Sequence, residues 1–137
     1  TDISIKSILV AKQNAAKFCC ENIIFLNHDW NNEWLFPQVD YLISNPPYVD
    51  KEATSGKEEG IWHEPEIALF SKDKGLSDLK LILSKGKNFL NENGKVYLEH
   101  APDQYEELNK FAMENGYLNF SNLNDLNGDK RVSIYQC

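Results

Sequence analysis

The stretch Val39-Asp40-Tyr41-Leu42-Ile43-Ser44-Asn45-Pro46-Pro47-Tyr48 places the tightest limit on how this chain can fold. The mainly apolar run from Val39 to Ile43 has the character of a buried strand, and two consecutive prolines stop it. Neither proline can donate a backbone hydrogen bond, and each fixes its own φ. Asn45 and the carbonyls around it are therefore held at a rigid tip as acceptors instead of being absorbed into a ladder. Tyr48 adds a flat face beside them. A planar group bearing an NH2 could donate to Asn45 and to the Pro46 carbonyl while lying against Tyr48, so the tetrapeptide reads as an amide or amine clamp.

Around this tip the pattern alternates between helix and strand. Ile5, Ile8, Leu9, Ala15, Ala16, Cys19 and Cys20 recur mostly three and four apart, which predicts an amphipathic helix from Ile5 to Cys20. Ile23 to Leu26 is a continuous apolar run and predicts a strand buried on both faces, ended by His28-Asp29-Trp30. A polar loop over Asn31 to Gln38 precedes the second buried strand, Val39 to Ser44. Residues 49–73 show no sustained period and are longer than a routine connection, as expected of a lid or substrate loop. Leu76, Leu79, Ile82, Leu83, Phe89 and Leu90 mark another helix, closed by Asn93-Gly94 as a left-handed cap and turn. A strand over Lys95 to Glu99 follows, then a helix opened by a capping box at Asp103 to Glu106 and stopped by Asn115-Gly116. Tyr117 to Leu123 and Val132 to Gln136 predict two final strands joined through Asn127-Gly128-Asp129. This order indicates one α/β domain whose sheet is mostly parallel with an antiparallel edge.

The chain of 137 residues is 42% hydrophobic and carries a formal net charge of −7, enough for one core and without a basic stripe. Phosphate neutralisation supplies most non-specific nucleic-acid affinity, so no direct nucleic-acid partner is expected. Three cysteines, two of them adjacent, form neither a disulfide framework nor a metal spacing, and no metal is assigned. No apolar run approaches the roughly 20 residues of a membrane span. A cytoplasmic protein without a membrane partner is the expectation.

In an open α/β sheet, ligands bind outside the carboxyl ends of the strands. Asp2, Asp29-Trp30 and Asn45 all fall at such positions. A carboxylate there can accept two ribose hydroxyls, an aromatic can cover an adenine face, and the clamp can hold a second substrate. Singly, a strand-end Asp is more often a turn or helix cap, and a lone Trp is more often core.

Together these residues carry a resemblance. The chain resembles the downstream part of the catalytic domain of the protein-(glutamine-N5) methyltransferases that modify peptide-chain release factors, the PrmC or HemK type. Asn45-Pro46-Pro47-Tyr48 is similar to the family's substrate motif, and Asp2, Trp30 and Asn45 fall at the spacing of its S-adenosylmethionine contacts. His63-Glu64-Pro65 with Ala68-Leu69, Leu98-Glu99-His100 and the segment from Asp125 to Arg131 match further landmarks. The resemblance implies a Rossmann-like S-adenosylmethionine-dependent methyltransferase fold, a release factor as protein partner and the side-chain amide nitrogen of a glutamine as acceptor. It also implies catalytic roles for Asn45, Pro46 and Tyr48, and cofactor contacts from Asp2, Asp29, Trp30 and Asn45. Asn45, Pro46, Pro47, Tyr48, Glu64 and Pro65 would contact the substrate. A nucleic-acid amino methyltransferase acting on adenine or guanine shares the tetrapeptide and is the alternative enzyme. A truncated, inactive binding remnant is the alternative outside enzymes.

Two family features are absent: the Gly-rich cofactor loop after the first strand, and an amino-terminal helical domain. The chain starts at Thr1 and runs straight into a helical pattern, so residues 1–137 read as the carboxyl-terminal portion of a catalytic domain without its first strand. In the family topology that strand lies between the one containing Asp2 and the one containing Ile43. These 137 residues alone are therefore expected to fold poorly or self-associate, and to bind cofactor weakly or not at all. Sedimentation, thermal melting and calorimetry test this; a sharp melting transition of a monomer together with micromolar cofactor binding would refute it.

Overall fold

The computed structural model describes residues 1–54 and 64–136. The chain divides into two compact units, Thr1–Phe36 and Pro37–Cys137. The Lys57 to Glu59 run, Trp62, His63 and Cys137 lie outside the described residues.

In the first unit, Ser4 caps helix α1 (Ile5–Lys17), its hydroxyl accepting from the Ser7 amide at 3.2 Å. Ile8 and Ala15 are the buried positions of the helix. It ends earlier than its periodicity predicts. Cys19 takes a left-handed φ of 54°, and the Cys20 amide folds back onto the Ala15 carbonyl at 2.9 Å. Both cysteines are thereby exposed and free. The expected strand at Ile23 to Leu26 is also absent; among the described residues a single parallel bridge joins Asp2 and Asn27. A strand buried on both faces needs a ladder and two covered faces. Here Ile23, Ile24 and Leu26 are exposed, and among the described residues no ladder covers them. Trp34 is buried instead, packed 5.5 Å from Phe36, and its indole N–H donates to the Trp30 carbonyl at 2.9 Å.

The second unit is a four-stranded sheet flanked by helices. Its elements are β1 (Val39–Ser44), α2 (Glu66–Leu69), α3 (Ser77–Gly86), β2 (Leu90–Glu99), α4 (Tyr105–Glu114), β3 (Asn119–Asn124) and β4 (Lys130–Gln136). The spatial order is β1-β2-β4-β3. β1 runs parallel to β2, whereas β4 is antiparallel to both β2 and β3. The antiparallel edge is thus as expected, but the four-stranded sheet is mixed and not mostly parallel: of its three ladders only β1–β2 is parallel. β1 is only half-buried: Leu42 packs toward Gly86, where a Cβ would lie 3.3 Å from its Cδ2. Tyr41 and Ile43, on the opposite side of the pleat, are exposed. The strand has β2 on one side and no partner on the other among the described residues.

Leu79, Leu83, Val96, Leu98, Leu108, Ala112, Tyr117 and Tyr135 form the core, each 1% exposed or less. The two tyrosines satisfy their hydroxyls on entering it. Tyr117 donates to the Leu83 carbonyl at 2.8 Å and Tyr135 to Asn109 Oδ1 at 3.0 Å. α3 stops at Gly86, not at Asn93-Gly94. Phe89 and Leu90 continue its apolar spacing, yet Leu90 is buried as the first residue of β2. Asn93 does adopt a positive φ of 64°, but inside the bulge where the β1–β2 register jumps between Val39↔Leu90 and Tyr41↔Lys95. The capping arrangement lies two residues earlier than Asp103 to Glu106: Gln104 Oε1 accepts from the Ala101 amide at 2.9 Å around a 3-10 turn, Pro102–Gln104, and α4 begins at Tyr105. No described helix is long and apolar enough to cross a membrane.

Candidate functional site

The parallel β1–β2 pair brings two strand ends to one edge of the sheet. Asn45 follows Ser44 there, and Glu99-His100 ends β2, with Ser44 paired to Leu98. Because β4 is antiparallel to β2, its opening residues reach the same edge, and Glu99 pairs with Val132, next to Arg131.

Asn45 is exposed at this edge, while Pro46 and Pro47 are buried beneath it. Burial of the two rings anchors the turn, and the polar side chain is left accessible. Tyr48 is half-buried and held at both ends. Its hydroxyl donates to Glu99 Oε1 at 2.8 Å, and its carbonyl accepts from Gln104 Nε2, also at 2.8 Å. Gln104 is itself buried and fully used: Nε2 also donates to the Lys74 carbonyl at 3.0 Å, and Oε1 accepts from the Ala101 amide at 2.9 Å. Gly75, with φ +83°, lets this backbone approach closely, since a Cβ there would stand 2.0 Å from the Tyr48 carbonyl oxygen. Burial, and then the Glu99 carboxylate beside it, raises the Tyr48 phenol above its ordinary value.

The residue after the clamp is also tied down. Val49 donates to the Leu69 carbonyl at 2.9 Å and accepts from Ser71 at 3.1 Å. This bridge joins the clamp's exit to the end of α2, a helix headed by Pro65. Glu64 and Pro65 are exposed.

His100 is fully buried, with Nδ1 2.8 Å from the Ala101 carbonyl and Nε2 2.8 Å from Ser133 Oγ. A neutral ring protonated on Nδ1 satisfies both contacts: Nδ1–H donates to the carbonyl, and Nε2 accepts from the serine hydroxyl. Burial holds its pKa below the ordinary histidine value. His100 is thus the satisfied structural histidine that its position at the end of a strand suggests. Arg131 donates to Asp125 Oδ2 through Nη2 at 2.9 Å and through Nε at 3.2 Å, and reaches the His100 carbonyl with Nη1 at 3.3 Å. The guanidinium hydrogen bonds hold the Asp125 carboxyl below its usual range. Asp125 Oδ1 accepts from the Asn127 and Asp129 amides at 2.9 and 3.1 Å, which closes the β3–β4 turn over Gly128, at φ +90°.

In the first unit the three expected cofactor residues have local partners. Asp2 is exposed, and its Oδ1 accepts from the Ser4 amide at 2.7 Å. Asp29 Oδ1 accepts from the Asn31 backbone and side-chain amides, both at 2.9 Å. The Trp30 carbonyl accepts from Trp34. Asp2 and Asp29 therefore fill the turn roles that are commoner for such residues, while the carboxylate and indole types remain those an adenosine group needs.

The second unit groups Asn45 to Tyr48 with residues that sequence patterns did not flag as supports, Gly75, Gln104 and Arg131. The only sequence signals were a glutamine read as part of a cap, a glycine between the long loop and the helix marked from Leu76, and an arginine among family landmarks.

The fold is that of the methyltransferases, an α/β Rossmann-like architecture. A methyltransferase crystal structure from Pyrococcus furiosus superimposes with a TM-score of 0.68 at 17% identity, over 97% of this chain and 58% of that one. The resemblance to release factor glutamine methyltransferases holds along the whole chain. The protein of that name from Francisella tularensis subsp. tularensis is 32% identical over 135 residues, covering 98% of this chain and 48% of its own length. A protein named bifunctional methyltransferase from Rickettsia felis is 36% identical over 137 residues, 26% of its length. The chain thus spans about half or less of the length of these curated relatives. No family model matches it.

The buried His100 has a consequence for pH. Its pKa is lowered from 6.5, so its contribution to stability is present above pH 6.5 and is lost as pH falls through the lower folded-state value. Urea unfolding of the natural protein carrying this sequence should show this loss, and His100→Gln should remove that component. Parallel stability profiles for wild type and variant from pH 7.5 to 5 would contradict it.

Proposed function

We propose that residues 1–137 are the carboxyl-terminal portion of a methyltransferase catalytic domain acting on the side-chain amide nitrogen of a glutamine in peptide-chain release factors, with S-adenosylmethionine as methyl donor. One observation carries this reading: Asn45 stands exposed at the carboxyl end of β1, above two buried prolines and beside a tyrosine pinned at its hydroxyl and its carbonyl. The names borne by relatives of this chain support the same substrate.

An amide nitrogen is a poor nucleophile because its lone pair is delocalised. Donation of its two N–H groups to the Asn45 side-chain oxygen and the Pro46 carbonyl would fix its orientation and favour pyramidalisation, while Tyr48 packs on the flat amide. Pro47 keeps the tip rigid, and Glu64 and Pro65 are the proposed outer contacts with the substrate. The catalytic set is Asn45, Pro46 and Tyr48. When bound, S-adenosylmethionine supplies an electrophilic methyl group. Its chemistry suits the residue types present: the Asp2 carboxylate for ribose hydroxyls, Trp30 for the adenosine face, Asp29 as a polar neighbour of the adenine and Asn45 at the reacting end.

The test is transfer of labelled methyl from S-adenosylmethionine by the natural protein carrying this sequence. A release factor with its Gly-Gly-Gln motif, the same factor with that glutamine replaced, and DNA and RNA oligonucleotides are offered as acceptors. Label is expected in the intact release factor alone, and Asn45→Ala should lower kcat by about 10²–10³, the scale seen when one preorganised polar contact is removed from a reacting centre. Label appearing only in nucleic acid would end the release-factor reading.

A further inference from the structure

Tyr48 needs more than the prolines to serve as a platform. A tyrosine after a rigid turn still rotates about its two side-chain torsions, and a half-exposed ring that samples several rotamers presents no fixed plane to a substrate. Its hydroxyl meets Glu99 Oε1 at 2.8 Å across 51 residues of sequence. The charge on that carboxylate is balanced close by, because Arg131 interacts electrostatically with both Glu99 and Tyr48. Arg131 does not float: it is 30% exposed, bonded to the 21%-exposed Asp125, and it also donates to the His100 carbonyl next to Glu99 in the chain. Asp125 in turn is fixed by the amides of its own turn. The closing hairpin thus reaches back to the strand end that holds the tyrosine.

Resting on the methyl-transfer reading above, we propose that Glu99 is a positioning residue for that reaction, holding the Tyr48 ring as the platform for the acceptor amide, with the Asp125–Arg131 pair of the β3–β4 hairpin as its support. The arrangement also shapes specificity. With its proton donated to a carboxylate, the Tyr48 hydroxyl offers the substrate no donor. At the tip the Pro46 carbonyl can only accept, whereas the Asn45 amide offers an acceptor oxygen and an NH2 donor. A primary amide, which both donates and accepts, matches this set better than a carboxylate, so glutamine is preferred over glutamate.

A double-mutant cycle on the natural protein tests this by steady-state methyl transfer to a release factor. Glu99→Ala should lower kcat about ten- to a hundredfold, as misplacement of a reacting group does, with the KM for S-adenosylmethionine unchanged. Glu99→Gln, which can still accept from the hydroxyl, should recover most of that loss. In a Tyr48→Phe background, Glu99→Ala should have little further effect. An equal loss in both backgrounds, or a Glu99→Ala enzyme with wild-type kcat, would overturn the proposal.

A second readout is independent of activity. The Tyr48 phenol, followed by NMR of a labelled ring, should titrate lower in Glu99→Ala and higher in Arg131→Gln, because Glu99 raises its pKa and Arg131 lowers it. No movement in either variant would refute the hold on Tyr48. Movement in both, with a wild-type protein that labels no release factor, would retain the hold and overturn the methyl-transfer reading instead.

Discussion

The parallel ladder between β1 and β2 is the constraint from which the site follows. It places the end of an apolar strand, Ser44-Asn45, beside Glu99-His100 at one edge, and the antiparallel return of β4 brings Arg131 to the same place. Without that register, the hydroxyl of Tyr48 would not meet a carboxylate 51 positions away. Proline chemistry then decides which groups at the edge face outward. Two buried rings cannot join a ladder, so the turn is fixed by packing, and the polar atoms beside it stay available.

Around the clamp, buried polar groups are matched one to one. Gln104 uses both amide hydrogens and its oxygen within 3.0 Å, and His100 uses both ring nitrogens. Satisfied buried networks of this kind rigidify their surroundings, and removing one partner strands another. The close approach at Gly75 belongs to the same device, because only a residue without a Cβ lets Gln104 and the Tyr48 carbonyl meet there. The methyl-transfer site proposed here would depend on orientation, which needs such stiffness.

Much of this was legible in the sequence where local chemistry decides the outcome. β1 runs from Val39 to Ser44 as its apolar run and proline stop predict, and the Asn115-Gly116 stop of α4 appears with Gly116 at φ +80°. Local patterns failed where distant partners decide. Ile23 to Leu26 looks like a strand but has a single bridge to pair with. Phe89 and Leu90 keep helical spacing although Leu90 opens a strand. The supports of Tyr48 were hidden for the same reason. Glu99 and Gln104 lie 51 and 56 residues from it, and no period or motif records a contact of that span. Resemblance to a family marked the neighbourhood of Glu99 and Arg131 without giving either a task.

On the proposed reading, the acceptor glutamine amide would sit between the Asn45 side-chain oxygen and the Pro46 carbonyl, over the ring of Tyr48. A crystal structure of the natural protein with a Gly-Gly-Gln peptide bound measures it directly. The amide nitrogen is expected within hydrogen-bond distance, about 2.7–3.2 Å, of both oxygens, with its plane against Tyr48. An amide bound away from Asn45, or one held through its carbonyl oxygen with the nitrogen turned from both acceptors, would contradict it.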